Sequence, residues 1–391
     1  MDLSFTPEQE RFRAELRAWL AENLERPWNE EIRNPAHDED SLVEVRRRWQ
    51  RKLDDAGYLG MGWPAEWGGR GASVVEEAIL EEELWRADAP QIPNFLGVGL
   101  LGPALIHHGT EEQRRRFIPK MLSAEEIWCQ GFSEPGAGSD LASLRTRAEP
   151  DGEHFRITGQ KVWTTFGAWA DWIFVLARTD MEDRYGGISF FLVPLHQPGV
   201  EVRGIKQITG ESEFGEVFFD GALARREHVV GKIGEGWRVA MTLLGYERGV
   251  QTMAYPARFD RYLADLIRGV KANGTYERAD VREKVARLVV ENEVMRANGL
   301  RALANLAEGR APGPESSIEK IFWSEYARRQ SETALDLLGP QAQLTIESRH
   351  ARPDMDWARE FLWARAGTIY SGSSEIQRNI IAKRVLRMPT R

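Results

Sequence analysis

The order of patterns along the chain constrains its fold more than any single motif does. Helical periodicity comes first, short β-rich runs follow, and helical periodicity returns to the end. Thr6-Pro7-Glu8-Gln9 reads as a helix start, with a capping threonine, proline at the first helical position and glutamine closing the box. Phe12, Leu16, Trp19 and Leu20 then share one face. Further helices are expected over 41–56, 74–88 and 111–122. Between Gly57 and Gly71, six glycines and one proline impose a loop. From 123 to 232 the runs His154–Ile157, Trp172–Leu176, Ile188–Val193, Val200–Val202 and Val217–Phe219 are short, β-branched and aromatic. Their spacing predicts an antiparallel sandwich or barrel. Helices resume over 237–272, 278–308, 316–338 and 374–386. This is not the strand–helix alternation of a doubly wound sheet. An α+β multidomain fold is expected: a helical domain over 1–122, a β domain over 123–232 and a helical domain over 233–391.

Composition removes several function classes. A net charge of -8 lacks the basic footprint of a nucleic-acid binder. Cys129 is the only cysteine, so no disulfide joins two points of the chain. No Cys/His cluster has zinc spacing, and no metal site is expected. His107 and His108 are adjacent, which suits a solvated turn better than a metal pair. The first residues carry no signal-peptide pattern, and no run approaches the length of a membrane span. A cytoplasmic protein is expected.

Gly97-Val98-Gly99-Leu100-Leu101-Gly102 matches a dinucleotide fingerprint, but that fingerprint works only after a strand, and these surroundings read as helical. Ser133-Glu134-Pro135-Gly136-Ala137-Gly138-Ser139-Asp140 forces an irregular loop. It reads equally as a surface turn or as a polar ligand loop. Lys161-Val162-Trp163-Thr164-Thr165 can offer a flat wall and a hydrogen-bond donor to a planar ring, or a Trp packed under a sheet. Glu247 sits in the middle of an apolar helical stripe of Ala240, Leu243, Leu244, Val250 and Ala254. Burial pushes such a carboxyl toward neutrality, which suits a general base; a structural ion pair is the other reading. Ser371-Gly372-Ser373-Ser374 is a small-residue turn against a helix start, readable as a cap or as a site for a polar ligand.

Taken in order, these segments resemble the acyl-CoA dehydrogenases over nearly the whole chain. The resemblance rests on Gly109-Thr110-Glu111-Glu112-Gln113, the Ser133–Asp140 loop, Lys161–Thr165, Glu247-Arg248, and Ile369-Tyr370-Ser371-Gly372-Ser373 through Arg378. It implies a helical N-terminal domain, a central β domain and a C-terminal four-helix bundle. It implies FAD as cofactor, with Gln130, Phe132 and Ser133 along the flavin, Trp163 over one face and Thr165 near N5. Ser373 and Glu375 would touch the cofactor, as would Arg268, Leu338 and Gly339 across a subunit interface. Ser139, Tyr246, Arg248, Ser371 and Gly372 would meet the acyl-CoA. The reaction implied is α,β-dehydrogenation, in an assembly resembling a homotetramer or heterotetramer, with an electron-transfer flavoprotein as acceptor.

The sequence departs from the family pattern in three places. Many members carry their base where Ser371 stands, whereas isovaleryl- and long-chain-type members carry a glutamate where Glu247 stands. Glu247 is therefore the expected catalytic base. An Arg-x-x-Phe-Gly segment is reduced to Arg268-Gly269-Val270-Lys271-Ala272, and a Leu-Gly-Gly-x-Gly turn becomes Leu338-Gly339-Pro340-Gln341-Ala342. Two further readings stay open: a non-catalytic subunit of a heteromeric dehydrogenase, and an oxygen-using flavoenzyme on the same fold.

Overall fold

Residues 4–25, 39–246, 253–310, 313–345, 348–351 and 355–389 are described by a computed structural model. The chain divides into two compact units, one of Met1–His37, Ser73–Ala89 and Arg248–Arg391, the other of Asp38–Ala72 and Pro90–Glu247.

The second unit carries the sheet. It begins with α2 (Glu39–Asp55), after which the glycine-rich stretch forms a loop with one tight turn at Ala65–Trp67. A π-helical turn over Gly97–Leu101 leads into α4 (Gly102–His108), followed by α5 (Glu111–Leu122). The Gly97–Gly102 segment is thus helical, and among the described residues of the unit no strand precedes it. His107 and His108 correct the expected turn: they close α4, and His108 Nε2 lies 2.9 Å from Thr242 Oγ1.

Eight strands follow: β1 (Trp128–Gly131), β2 (Arg147–Asp151), β3 (His154–Thr165), β4 (Trp172–Arg178), β5 (Ile188–Pro194), β6 (Val200–Ile205), β7 (Phe214–Arg225) and β8 (Val229–Val230). They form one sheet in the order β6-β7-β3-β2-β4-β5-β8, with β1 added beside β4. The β-rich middle region is as expected. Its sheet is mixed rather than purely antiparallel, because β1 and β2 each run parallel to β4. Hydrophobic alternation sets which face of a strand is buried, not which way its neighbour runs. Ile157, Ile173, Val175, Phe191, Val193 and Val217 are fully buried in its core. Helix α6 (Gly236–Tyr246) closes the unit, with Ala240 and Leu243 buried as the apolar stripe requires.

One side chain fixes where β1 begins. Asn94, fully buried, donates to the carbonyls of Met121 and Glu126 at 2.8 Å each, and its Oδ1 accepts from the Trp128 N–H at 2.9 Å. The end of α5 and the start of β1 are therefore tied to one amide, which satisfies backbone groups that burial would otherwise leave unpaired.

The first unit is helical: α1 (Pro7–Asn23), α3 (Val74–Arg86), α7 (Ala254–Ala272), α8 (Ala279–Ala307), α9 (Ser316–Leu338), α10 (Trp357–Gly367) and α11 (Ser374–Ile380). Thr6 and Ser73 both make complete capping boxes, with Gln9 and Glu76 respectively. Buried Arg13 of α1 bonds Glu82 and Glu83 of α3 at 2.6 Å each. Helices α7 to α10 share a core of Phe259, Leu266, Val281, Leu288, Tyr326 and Trp357. Helix α10 is not evident from the sequence, where Arg359, Glu360 and Arg365 break up its apolar face.

Candidate functional site

The sheet unit builds an aromatic shelf at the end of β3. The strand bulges between Lys161 and Thr164, and Trp163 takes a left-handed φ of 60°. A bulge re-aims a side chain out of the regular pleat. Trp163 is 59% exposed, while Thr164 beside it is fully buried. Its indole meets Phe214 edge to face, with ring centroids 6.2 Å apart. Thr165 is half-buried at the strand end, paired with Phe214.

The loop after β1 lies against this strand. Gln130 is half-buried in β1, and the Phe132 ring packs edge-on to Phe174 and Phe190. Ser133 is half-buried and its carbonyl accepts from the Val162 N–H at 3.0 Å. Beneath them Lys161, with none of its side chain exposed, donates to a Glu134 carboxylate oxygen at 2.8 Å and to the Phe132 carbonyl at 3.1 Å. Glu134 also accepts from the N–H groups of Arg145 and Thr146 at 2.7 and 2.9 Å. Burial pushes Lys161 down to about 8, against the opposing pull of Glu134. Burial pushes Glu134 up, but the Lys161 charge and the bonds it receives outweigh that and hold it below the ordinary range. Ser139 is exposed further along the loop, next to Asp140, which pairs with Arg184 at 2.6 Å.

The helical unit builds a second feature, the turn between α10 and α11. Ser371 has φ 51° and Gly372 has φ 85°. The φ of Gly372 favours glycine, and a Cβ there would lie 2.5 Å from Gln377 Nε2 and displace that amide. Gln377, 1% exposed, donates to the carbonyls of Ser371 and Gly372 at 2.9 and 3.3 Å. Ser373 caps α11, its Oγ accepting from the Ile376 N–H at 3.4 Å. Glu375 is exposed and held below the ordinary carboxyl range, first by the backbone N–H it accepts and then by Ser373. Ser374 donates to Glu325 at 3.2 Å.

Arg268, Leu338 and Gly339 lie elsewhere in the helical unit. Asn273, just past α7, donates to the Leu337 carbonyl at 3.1 Å and brings the two helix ends together. Arg268 bonds Asp265 at 3.2 Å, whose second oxygen accepts from the Trp357 indole at 2.7 Å. Leu338 is buried, and Gly339 ends α9 at φ 68°, ψ −156°, backbone open only to glycine.

Thus Gln130, Phe132, Ser133, Trp163 and Thr165 come together in one unit, and Ser371, Gly372, Ser373 and Glu375 in the other. Tyr246 ends α6, with its side chain outside the described residues; Glu247 and Arg248 lie outside them altogether. Sequence reading missed Glu134, Lys161 and Gln377. Strand alternation carried a signal for one: Phe155, Ile157, Gly159 and Lys161 occupy the same face of β3, so a lysine falls on an inward face. It also missed Glu81 and Glu319, half-buried carboxyls that burial pushes up to about 7. Among the described residues no metal-binding cluster and no membrane-spanning helix is found.

An indole held in the open, beside two half-buried hydroxyls at Ser133 and Thr165, fits a planar polar ring such as a flavin. Gln377 Oε1, buried and without a hydrogen-bond partner, fits a donor arriving at the turn.

Known proteins agree with these features. Models of the acyl-CoA dehydrogenase N-terminal, middle and C-terminal domains match residues 6–125, 129–222 and 234–386. Acyl-CoA dehydrogenase IpdE1 of Mycolicibacterium smegmatis is 44% identical, covering 98% of each chain. Its namesake in Mycobacterium tuberculosis is 43% identical, over 97% of this chain and 98% of that one. Among solved structures, a Tcur3481-Tcur3483 steroid ACAD superposes with a TM-score of 0.89 at 30% identity, over the whole of both chains. The ChsE4-ChsE5 complex of Mycobacterium tuberculosis gives 0.87 at 28% identity, again over the whole of both chains.

Proposed function

Because the chain belongs to the acyl-CoA dehydrogenase family, whose members are FAD-dependent oxidoreductases, we propose that it introduces a trans α,β double bond into a lipid acyl-CoA, with Glu247 as the base. The observation that carries this reading is the Trp163 shelf, where an exposed indole stands on left-handed backbone beside Ser133 and Thr165.

Bound FAD supplies the hydride acceptor for Cβ. The protein's own residues do the rest. Trp163 covers one face of the ring, and Gln130, Phe132, Ser133 and Thr165 orient its edge. Glu247 takes the Cα proton. The Ser371 backbone N–H steadies the thioester oxygen as negative charge develops there. Gly372 leaves room for the acyl chain, while Ser139, Tyr246 and Arg248 hold the CoA end. Ser373, Glu375, Arg268, Leu338 and Gly339 contribute to FAD further from the ring.

A steroid-derived acyl-CoA is the first substrate class to test, since a structural neighbour bears that description. A dye-linked assay with short, branched, long and steroid acyl-CoAs checks it. Turnover highest on the steroid or other bulky lipid thioesters is expected. Highest turnover on a short acyl-CoA, or no turnover on any of them with FAD bound, contradicts it.

A second reading, as one subunit of a heteromeric enzyme, rests only on the two-chain names of both neighbours. The chain purified alone should then carry less than stoichiometric FAD and regain it with a partner chain. A homotetramer with full flavin absorbance would set this aside. The acceptor proposed is an electron-transfer flavoprotein, and the compartment the cytoplasm.

A further inference from the structure

The loop carrying Ser133 and the strand end carrying Trp163 and Thr165 meet over a charged pair rather than over apolar packing. Lys161 is the last inward residue of β3 before the bulge, and Glu134 directly follows Ser133. Their side chains are 0% and 9% exposed. Lys161 holds both the Phe132 carbonyl and the Glu134 carboxylate, so it brackets Ser133 from either side. Glu134 in turn holds two consecutive N–H groups, at Arg145 and Thr146, on the chain leading into β2. The Val162 N–H, bonded to the Ser133 carbonyl, completes the link from the opposite strand.

Apolar residues of similar volume could fill this space. They would leave the Phe132 carbonyl and the Arg145 and Thr146 N–H groups buried without partners, which is costly. They would also fix no direction. Charge-assisted hydrogen bonds are short and directional, so each bond sets a distance between two segments of backbone. Burial removes the water that competes for exposed pairs and makes them loose.

We propose that the Glu134–Lys161 pair is a positioning device that sets the gap between Ser133 and the Trp163–Thr165 segment, and so governs how tightly and in what environment the flavin ring is held. This rests on the reading that those two segments flank the ring. Lys161 and Glu134 act through Ser133 and Trp163.

Lys161→Met, Glu134→Gln, the double variant and Glu134→Asp test it, each purified as full chain with its FAD. The readouts are FAD affinity, measured by quenching of tryptophan fluorescence, and the position of the bound flavin's visible band. The double variant leaves no lone buried charge, and Glu134→Asp keeps both charges while shortening one arm. Glu134→Asp should melt near the wild type, and the double variant, which still leaves the Phe132 carbonyl unpaired, between it and the single neutralisations; both should bind FAD about tenfold more weakly, with a displaced band, as misplaced contacts cost binding and rate together. The single neutralisations should lose FAD and stability together. If the double variant or Glu134→Asp binds FAD within twofold of wild type with an unmoved band, the pair is structural only and the proposal is overturned. Trp163→Leu separates the premise from the proposal. Should that variant leave the flavin band of the wild-type pair unmoved, the ring does not lie on the shelf, and both fail. A moved band there with unaffected pair variants defeats the positioning role alone.

Discussion

The Trp163 shelf and the Ser371 turn both hold backbone in left-handed conformations, but they are held by opposite means. The shelf depends on a buried ion pair whose partners are far apart in sequence, Glu134 and Lys161. The turn depends on a neutral amide and a cap only a few residues away, Gln377 and Ser373. A buried charge that loses its partner cannot be solvated, whereas a lost amide bond leaves weaker groups behind. The shelf should therefore respond to change as an all-or-none assembly, and the turn should respond locally. Long-range pairing fixes a wall against which a ring can lie. Local bonding fixes the Ser371 and Gly372 carbonyls from within the same turn.

The contrast can be broken at several points. Lys161→Met alone strands the Glu134 carboxylate and should cost about 3–5 kcal/mol of unfolding free energy in urea titration. A loss below 1 kcal/mol would put the shelf on the same footing as the turn. Gln377→Met removes both donors to the turn and should cost about 1–2 kcal/mol, with FAD retained and kcat falling more than KM rises. Ser373→Ala deletes the α11 cap and should cost about 1 kcal/mol, read by melting, with little change in kcat.

The smallest effect concerns pH. Burial raises Glu319 from 4.5 to about 7. The folded chain then holds more protons than the unfolded chain between those values, so this group makes stability fall as pH rises through them. Glu319→Gln should flatten that slope and leave the protein slightly more stable than wild type above pH 7. Unfolding curves measured across that window check the sign. The same variant should leave flavin reduction by substrate intact, which distinguishes Glu319 from the catalytic base.

Much of this was legible in the sequence, for reasons that differ by element. The capping box at Thr6 uses side chains three residues apart, so it can be read directly. Five strands showed in their β-branched runs, but β1, β2 and β8 did not: β1 and β8 are only four and two residues long, and β2 is Arg147-Ala148-Glu149-Pro150-Asp151, with no β-branched or aromatic residue. The parallel pairings of β1 and β2 with β4 depend on chain path, which no local pattern encodes. Trp163 and Ser133 were found through the family resemblance. Glu134 and Lys161 were missed because their meaning lies in a contact 27 residues apart. Gln377 looked like one more polar residue of a basic helix, and only the left-handed turn it bonds reveals its use. The division at 122 and 232 remains a proposal beside the two units, because α1 and α3 share a unit with the C-terminal helices.

The central claim is that Glu247 removes the Cα proton. Anaerobic mixing of acyl-CoA with the FAD-loaded wild type and with Glu247→Gln tests it most directly, by following the flavin's visible absorbance. Rapid bleaching is expected in the wild type and none in the variant, although both bind FAD with the same spectrum. Bleaching of the variant at the wild-type rate would contradict it.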